Sequence, residues 1–209
     1  MKIRPEALEN NGYILQDSLH FDEIIPFVKE YMNKKTFASI FYFSFNILLI
    51  GLLGLDIGKK MATGSFDKIE NMYFLFSGIL LALLLLPVHE LIHLIAFKVL
   101  GAKKVSLDMN LKKFYFLAMA DGFVVNKWEF RFIAILPFLL ISIGLGFGWY
   151  WVDQPWSYTF FGALIVHSAM CSGDFGLLSY FDFQKNLDVL TYDDKKNRVS
   201  HFYIKSDLK

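Results

Sequence analysis

Residues 72–100 read MYFLFSGILLALLLLPVHELIHLIAFKVL, an apolar run into which one proline and a short ionisable cluster are set. As a helix this stretch is long enough to cross a bilayer, for which about 20 apolar residues suffice. Within it His89, Glu90 and His93 stand in the spacing H-E-x-x-H. Positions i and i+4 of a helix share one face one turn apart, so two imidazoles so placed reach a single tetrahedral ion. The intervening Glu90 then sits near the ion's open position, where a carboxylate takes a proton from a metal-activated water and returns it to a leaving amine. One stretch therefore specifies both a membrane helix and a hydrolytic metal chemistry, with zinc (Zn2+) the ion that suits His and carboxylate ligands.

Working outward, three further segments have the length and composition of a span. The expected spans are about 36–57, 72–100, 130–152 and 157–180, which makes the chain a mainly α, polytopic membrane protein with four transmembrane helices. The whole composition agrees, with 55% hydrophobic and 18% aromatic residues and a mean hydropathy of +0.41, more than a soluble domain needs to fill a core. Between the second and third spans, residues 101–129 hold two β-rich stretches, KKVSLDM and KKFYFLAM, separated by the turn-like Asn110, so a small cytoplasmic β element is expected there. The organisation reads as an N-terminal segment 1–35, a membrane core 36–180 that includes the β insert, and a C-terminal tail 181–209. Residues 21–32 have helical spacing; both terminal segments read as solvated tails or surface helices. The first apolar run follows about thirty-five mixed residues and lacks a small-residue cleavage site, so no removable signal peptide is expected.

Charge sets the expected orientation. With the N-terminus inside, 17 of the 21 Lys and Arg fall on the cytoplasmic side, among them Lys103, Lys104, Lys112, Lys113 and Lys209, and only Lys59, Lys60 and Lys68 fall outside. Both termini are thus expected in the cytoplasm, with the chain multi-pass in the cell membrane. The partners this implies are the lipid bilayer and a membrane protein or peptide substrate. A net charge of +1 without a basic patch excludes nucleic acid as a partner. The single cysteine, Cys171, excludes an intrachain disulfide and the cysteine-rich zinc spacings.

Chance does not explain the His89–His93 run, because this composition gives an expected number of matches of roughly 0.004. Each ionisable group at bilayer depth also costs about 2–3 kcal/mol on the lenient insertion scale, and a bound divalent ion compensates several at once. A catalytic zinc usually has three protein ligands. Two candidates for the third lie in the last span, Asp174 and His167. Counting from the span starts puts Asp174 level with His89, and His167 about 10 Å higher at 1.5 Å per residue. A buried carboxylate has few other uses, a salt bridge to Lys98 being one. His167 reads otherwise as a hydrogen-bonded core histidine or as a contact to substrate or the developing oxyanion. Cys171 is a further candidate zinc ligand, disfavoured by standing one turn from Asp174 on a different face.

On HELIHLIAF, the short β-like insert, the span with Pro137 and the closing Ser172-Gly173-Asp174, the chain resembles the bacterial membrane family called Putative zincin peptidase, itself distantly similar to the site-2 intramembrane metalloproteases. The likeness runs from about Phe74 to Leu178. It implies His89 and His93 as paired metal ligands, Glu90 as catalytic base and Asp174 as third ligand. The Cys-Ser-Gly-Asp-Phe-Gly neighbourhood lacks the Asn and Pro found beside the aspartate in site-2 proteases. The function this reading gives is a hydrolase, a membrane-embedded zinc-dependent metalloendopeptidase cutting peptide bonds of a membrane or juxtamembrane substrate by zinc-activated water. The alternative is a non-catalytic metal-binding or scaffold protein that retains the zincin fold.

Overall fold

A computed structural model describes residues 2–110 and 115–205. The described chain is mainly helical, with six α-helices and six strands among the described residues: β1 (Tyr13–His20), α1 (Ile24–Met32), α2 (Phe37–Ala62), α3 (Lys68–Val99), β2 (Val105–Asn110), β3 (Tyr115–Ala120), β4 (Val125–Asn126), α4 (Lys127–Trp151), α5 (Trp156–Met170), α6 (Ser172–Phe183), β5 (Val189–Asp194) and β6 (Val199–Lys205). Three helices, α2, α3 and α4, are long and apolar enough to cross a membrane, and the pair α5 and α6 makes a fourth if it is one broken span. The expected single fourth helix is therefore interrupted at Cys171. Cys171-Ser172-Gly173 is a run of weak helix formers, and Cys171 leaves helical geometry with ψ near 5°.

The chain divides into two compact units, one comprising Met1–Ser39, Glu90–Leu136 and Gly173–Lys209, the other Ile40–His89 and Pro137–Ser172. In the first unit the terminal segments fold together. β1, β6, β5 and β4 form an antiparallel sheet in that order, with Tyr13 opposite Lys205 at one end of the β1–β6 pair and His20 opposite Val199 at the other. The expectation of solvated tails or surface helices is corrected here, although residues 24–32 do form the helix α1. The physical reason is visible in the C-terminal segment. Val189–Tyr192 and Val199–Ile204 are rich in β-branched and aromatic residues, and the charged run between them is the hairpin turn, where Asp194 Oδ1 accepts the Asn197 N–H at 3.0 Å and Arg198 takes φ 56°. Leu19, Tyr180, Phe181, Val189 and Phe202 are buried together under this sheet, with Phe27 and Tyr31 of α1 against them.

β2 and β3 make the expected two-stranded hairpin, with Leu107 opposite Ala118. Its turn after Asn110, with Lys112 and Lys113, lies outside the described residues, as does Lys209. Two local signals fix where the hairpin leaves and rejoins the helices. α3 ends as Gly101 takes φ 98°, a left-handed cap that only glycine adopts without strain, and the Ala102 N–H returns to the Phe97 carbonyl at 2.9 Å. α4 begins at a capping box: Asn126 Oδ1 accepts the N–H groups of Trp128 and Glu129, while Glu129 Oε2 accepts the N–H of Asn126. Ala96, Phe97, Ala120, Val125 and Ile133 then close into one apolar cluster that joins the end of α3, the hairpin and α4.

In the second unit α3 and α5 pack through small residues. A Cβ on Gly162 would overlap the Leu75 carbonyl, and one on Gly78 would lie 2.6 Å from the Thr159 carbonyl oxygen. Ser77 Oγ and Thr159 Oγ1 hydrogen-bond at 2.8 Å across the same contact. Close backbone approach and interhelical hydrogen bonds are the contacts that hold apolar helices of this kind together. Gly162→Ala is expected to lower stability in detergent by about 1–3 kcal/mol, as overpacking does. Gly146→Ala, whose added carbon meets nothing within 4 Å, should leave stability unchanged or raise it by up to about 1 kcal/mol. Thermal unfolding of the two variants beside the wild type checks the pair.

Candidate metal centre

α3 sorts its residues by face. His89, Glu90 and His93 are buried at 6–7% exposure, while Leu84, Leu91 and Ile95 on the other side are exposed at 50% or more. The helix runs unbroken from Lys68 to Val99, so His89 lies one turn before His93 on the same face. Pro87 stands inside this helix without ending it.

In the first unit His93, Asp174 and Glu90 come together. His93 Nδ1 lies 2.9 Å from the carbonyl oxygen of Ile133. A carbonyl only accepts, so Nδ1 carries the proton and donates it, and in the neutral ring Nε2 holds the lone pair. That Nε2 is 3.2 Å from Asp174 Oδ1. Two electron-rich atoms face each other, and a positive species between them, a second ring proton or a metal ion, is what makes the contact favourable. Bonds of about 2.0–2.1 Å to a tetrahedral zinc put neighbouring N and O ligands about 3.3 Å apart, so the observed spacing fits an ion without rearrangement. Glu90 Oε2 accepts the Ala118 N–H of β3 at 3.0 Å. Lys98, the other expected partner for Asp174, instead donates to the Lys103 carbonyl at 3.0 Å.

The carbonyl that holds His93 is available for a reason written in the sequence. Helical bonding joins N–H of residue i to the carbonyl of i−4, and residue 137, four after Ile133, is a proline without an N–H. Ile133 therefore has no donor from its own helix at that position, and the His93 ring supplies one. Pro137 is fully buried.

A cavity of about 90 Å³, room for some three waters at about 30 Å³ each, adjoins these groups within the first unit. Its walls include Glu90, His93, Asp174, Phe116 and Phe130, and also Thr191, Asp193 and Ser200 from the terminal sheet. Asp193 is pushed up to about 6 because burial penalises its charge more than the hydrogen bonds from Ser200 and the Ala120 N–H favour it. It ties the end of β3 to β5, beside the Gly122 N–H bond to the Asp193 carbonyl at 2.9 Å.

His167 belongs to the second unit, where its Nε2 is 3.2 Å from His89 Nδ1 and 3.8 Å from Cys171 Sγ. His167, expected about 10 Å above His89, instead meets it, and Asp174 lies against His93. The break at Cys171 interrupts the even rise on which that count rests. Sequence reasoning did not single out Asp193, the Ala118 amide or the Ile133 carbonyl. Only the last had a sequence signal, the proline four residues on; the His167–Cys171 pair at i and i+4 was a second signal that went unread.

Helices long and apolar enough to span a membrane, one of them carrying two buried histidines and a buried glutamate, are consistent with a membrane protein that has a candidate metal centre. The chain belongs to the Putative zincin peptidase family, which matches residues 82–186. That family implies zinc, and His89 and His93 form a possible binding group. Searches of curated proteins and of solved structures find no match to the chain.

If His93 depends on Pro137 for its acceptor, Pro137→Ala should strengthen α4 yet weaken metal binding, because the restored N–H competes for the Ile133 carbonyl. A fall in zinc affinity of about 10- to 100-fold is expected, the usual cost of losing a partner to a ligating histidine. A competition titration of the purified variant against a chromophoric chelator reads it, and unchanged affinity would dismiss the role of the proline.

Proposed function

We propose that the chain is a membrane-embedded zinc metalloendopeptidase in which His89, His93 and Asp174 hold the ion and Glu90 is the general base, acting on a membrane or juxtamembrane peptide. The observation that carries this is the His93 Nε2 to Asp174 Oδ1 distance of 3.2 Å, with Nδ1 already committed to the Ile133 carbonyl. A zinc ion there supplies a Lewis acid that polarises the scissile carbonyl and makes water a nucleophile near neutral pH.

The protein's own groups do the rest. Glu90 takes the proton of the attacking water and delivers it to the leaving nitrogen; its hydrogen bond to the Ala118 amide fixes the carboxylate beside the cavity. The Ala118 N–H points to Glu90, away from β2, so that side of β3 abuts the base. An extended substrate segment lying against the β2–β3 hairpin would bring a peptide bond to Glu90. The cavity's aromatic walls suit an apolar side chain, and the apolar outer faces of α2, α3 and α4 suit lipid. The positive charges on the segments between spans favour placing both termini and the hairpin on the cytoplasmic side of the cell membrane.

Glu90→Gln keeps the shape and the hydrogen-bonding capacity but removes the proton acceptor. Zinc content is expected to stay near the wild-type level while peptide hydrolysis falls about 10² to 10⁴-fold. His93→Ala should lose both. The paired readout is metal content and accumulation of an uncut membrane partner in the two variants. A zinc-loaded Glu90→Gln strain with normal processing would make the protein a metal-binding scaffold instead.

A further inference from the structure

The second unit carries a separate set of donors. His167 and Cys171 stand at i and i+4 at the end of α5, the spacing of His89 and His93 on α3. With His89 they form a buried trio whose ligand atoms all lie within 4.8 Å of one another. The internal distances are those of ligands around one ion. Tetrahedral bonds of about 2.1 Å to nitrogen and 2.3 Å to sulfur put two nitrogens about 3.3 Å apart and a nitrogen and a sulfur about 3.6 Å apart. Here His89 Nδ1 is 3.2 Å and Cys171 Sγ 3.8 Å from the same atom, His167 Nε2. A ring nitrogen offers one lone pair or one proton in its plane, so a hydrogen bond serves a single neighbour well. Two donors converging on one nitrogen is the pattern of shared coordination.

We propose that His89, His167 and Cys171 form a second site, for a thiophilic transition-metal ion. The donor set suits zinc or copper(I): a thiolate selects soft or borderline ions, and imidazole suits both. While His89 serves this set alone, copper(I) with one thiolate and two neutral imidazoles carries no net charge, the state that an apolar, buried setting favours. The site does not use Glu90, His93 or Asp174 and shares only His89 with the proposed peptidase set, so variants of His167, Cys171 and Asp174 tell the two apart. His89 is common to both sets, offering Nδ1 here and leaving Nε2 on the opposite side of the ring. An ion at Nδ1 displaces that proton and alters the basicity of Nε2, so occupancy of the second site tunes the first.

Cobalt(II) is a suitable probe, because a thiolate on cobalt gives a charge-transfer band in the near ultraviolet, and Cys171 is the one cysteine of the chain. The full-length protein in detergent is expected to take two cobalt ions per chain and to show this band. Cys171→Ser should take one and lose the band. His167→Ala should lose the band with the thiol intact, while Asp174→Ala keeps it. Wild-type protein that takes a single cobalt without the band overturns the proposal. So does a band that survives in His167→Ala, which would reduce it to an isolated thiol, or one lost in Asp174→Ala, which would place Cys171 in the other set.

Discussion

Ionisable side chains inside apolar helices constrain everything else in this chain. His89, Glu90 and His93 are buried on a helix whose other face is exposed and apolar, and each uncompensated charge or lone pair in such a setting costs several kcal/mol. Every one of them is met by a specific partner: His93 by the Ile133 carbonyl and Asp174, Glu90 by the Ala118 amide, His89 by His167. The elements that supply those partners are thereby required to be where they are.

In the first unit those partners come from parts of the chain far apart in sequence. The hairpin reaches Glu90 because Gly101 turns the chain sharply at the end of α3 and the Asn126–Glu129 capping box fixes the start of α4. The terminal sheet closes the far wall of the cavity, with Asp193 bonded both to β3 and to Ser200. Pro137 acts by subtraction, freeing a carbonyl that the His93 ring then uses.

What could be read from the sequence was local. The span lengths, the one-turn spacing of His89 and His93 and the hairpin between spans two and three all follow from periodicity within a few dozen residues, and α2, α3, α4 and β2–β3 are found accordingly. The terminal sheet was missed because β1 pairs with β6 across nearly the whole chain, and short alternating strands carry no sign of a distant partner. Span counting placed His167 about 10 Å above His89, whereas the two meet, because a helix broken at Cys171 does not advance as an ideal one does. Backbone partners such as the Ala118 amide leave no trace in residue identity, since every non-proline residue has one.

The proposed peptidase chemistry depends on which atoms would hold the ion beside Glu90. Zinc-edge X-ray absorption on protein loaded with a single equivalent of zinc measures this directly. A shell of nitrogen and oxygen, with the outer-shell scattering of two imidazoles, is the result the account predicts, reduced to one imidazole in His93→Ala. Sulfur in that first shell, or a spectrum unchanged by His93→Ala, would contradict it.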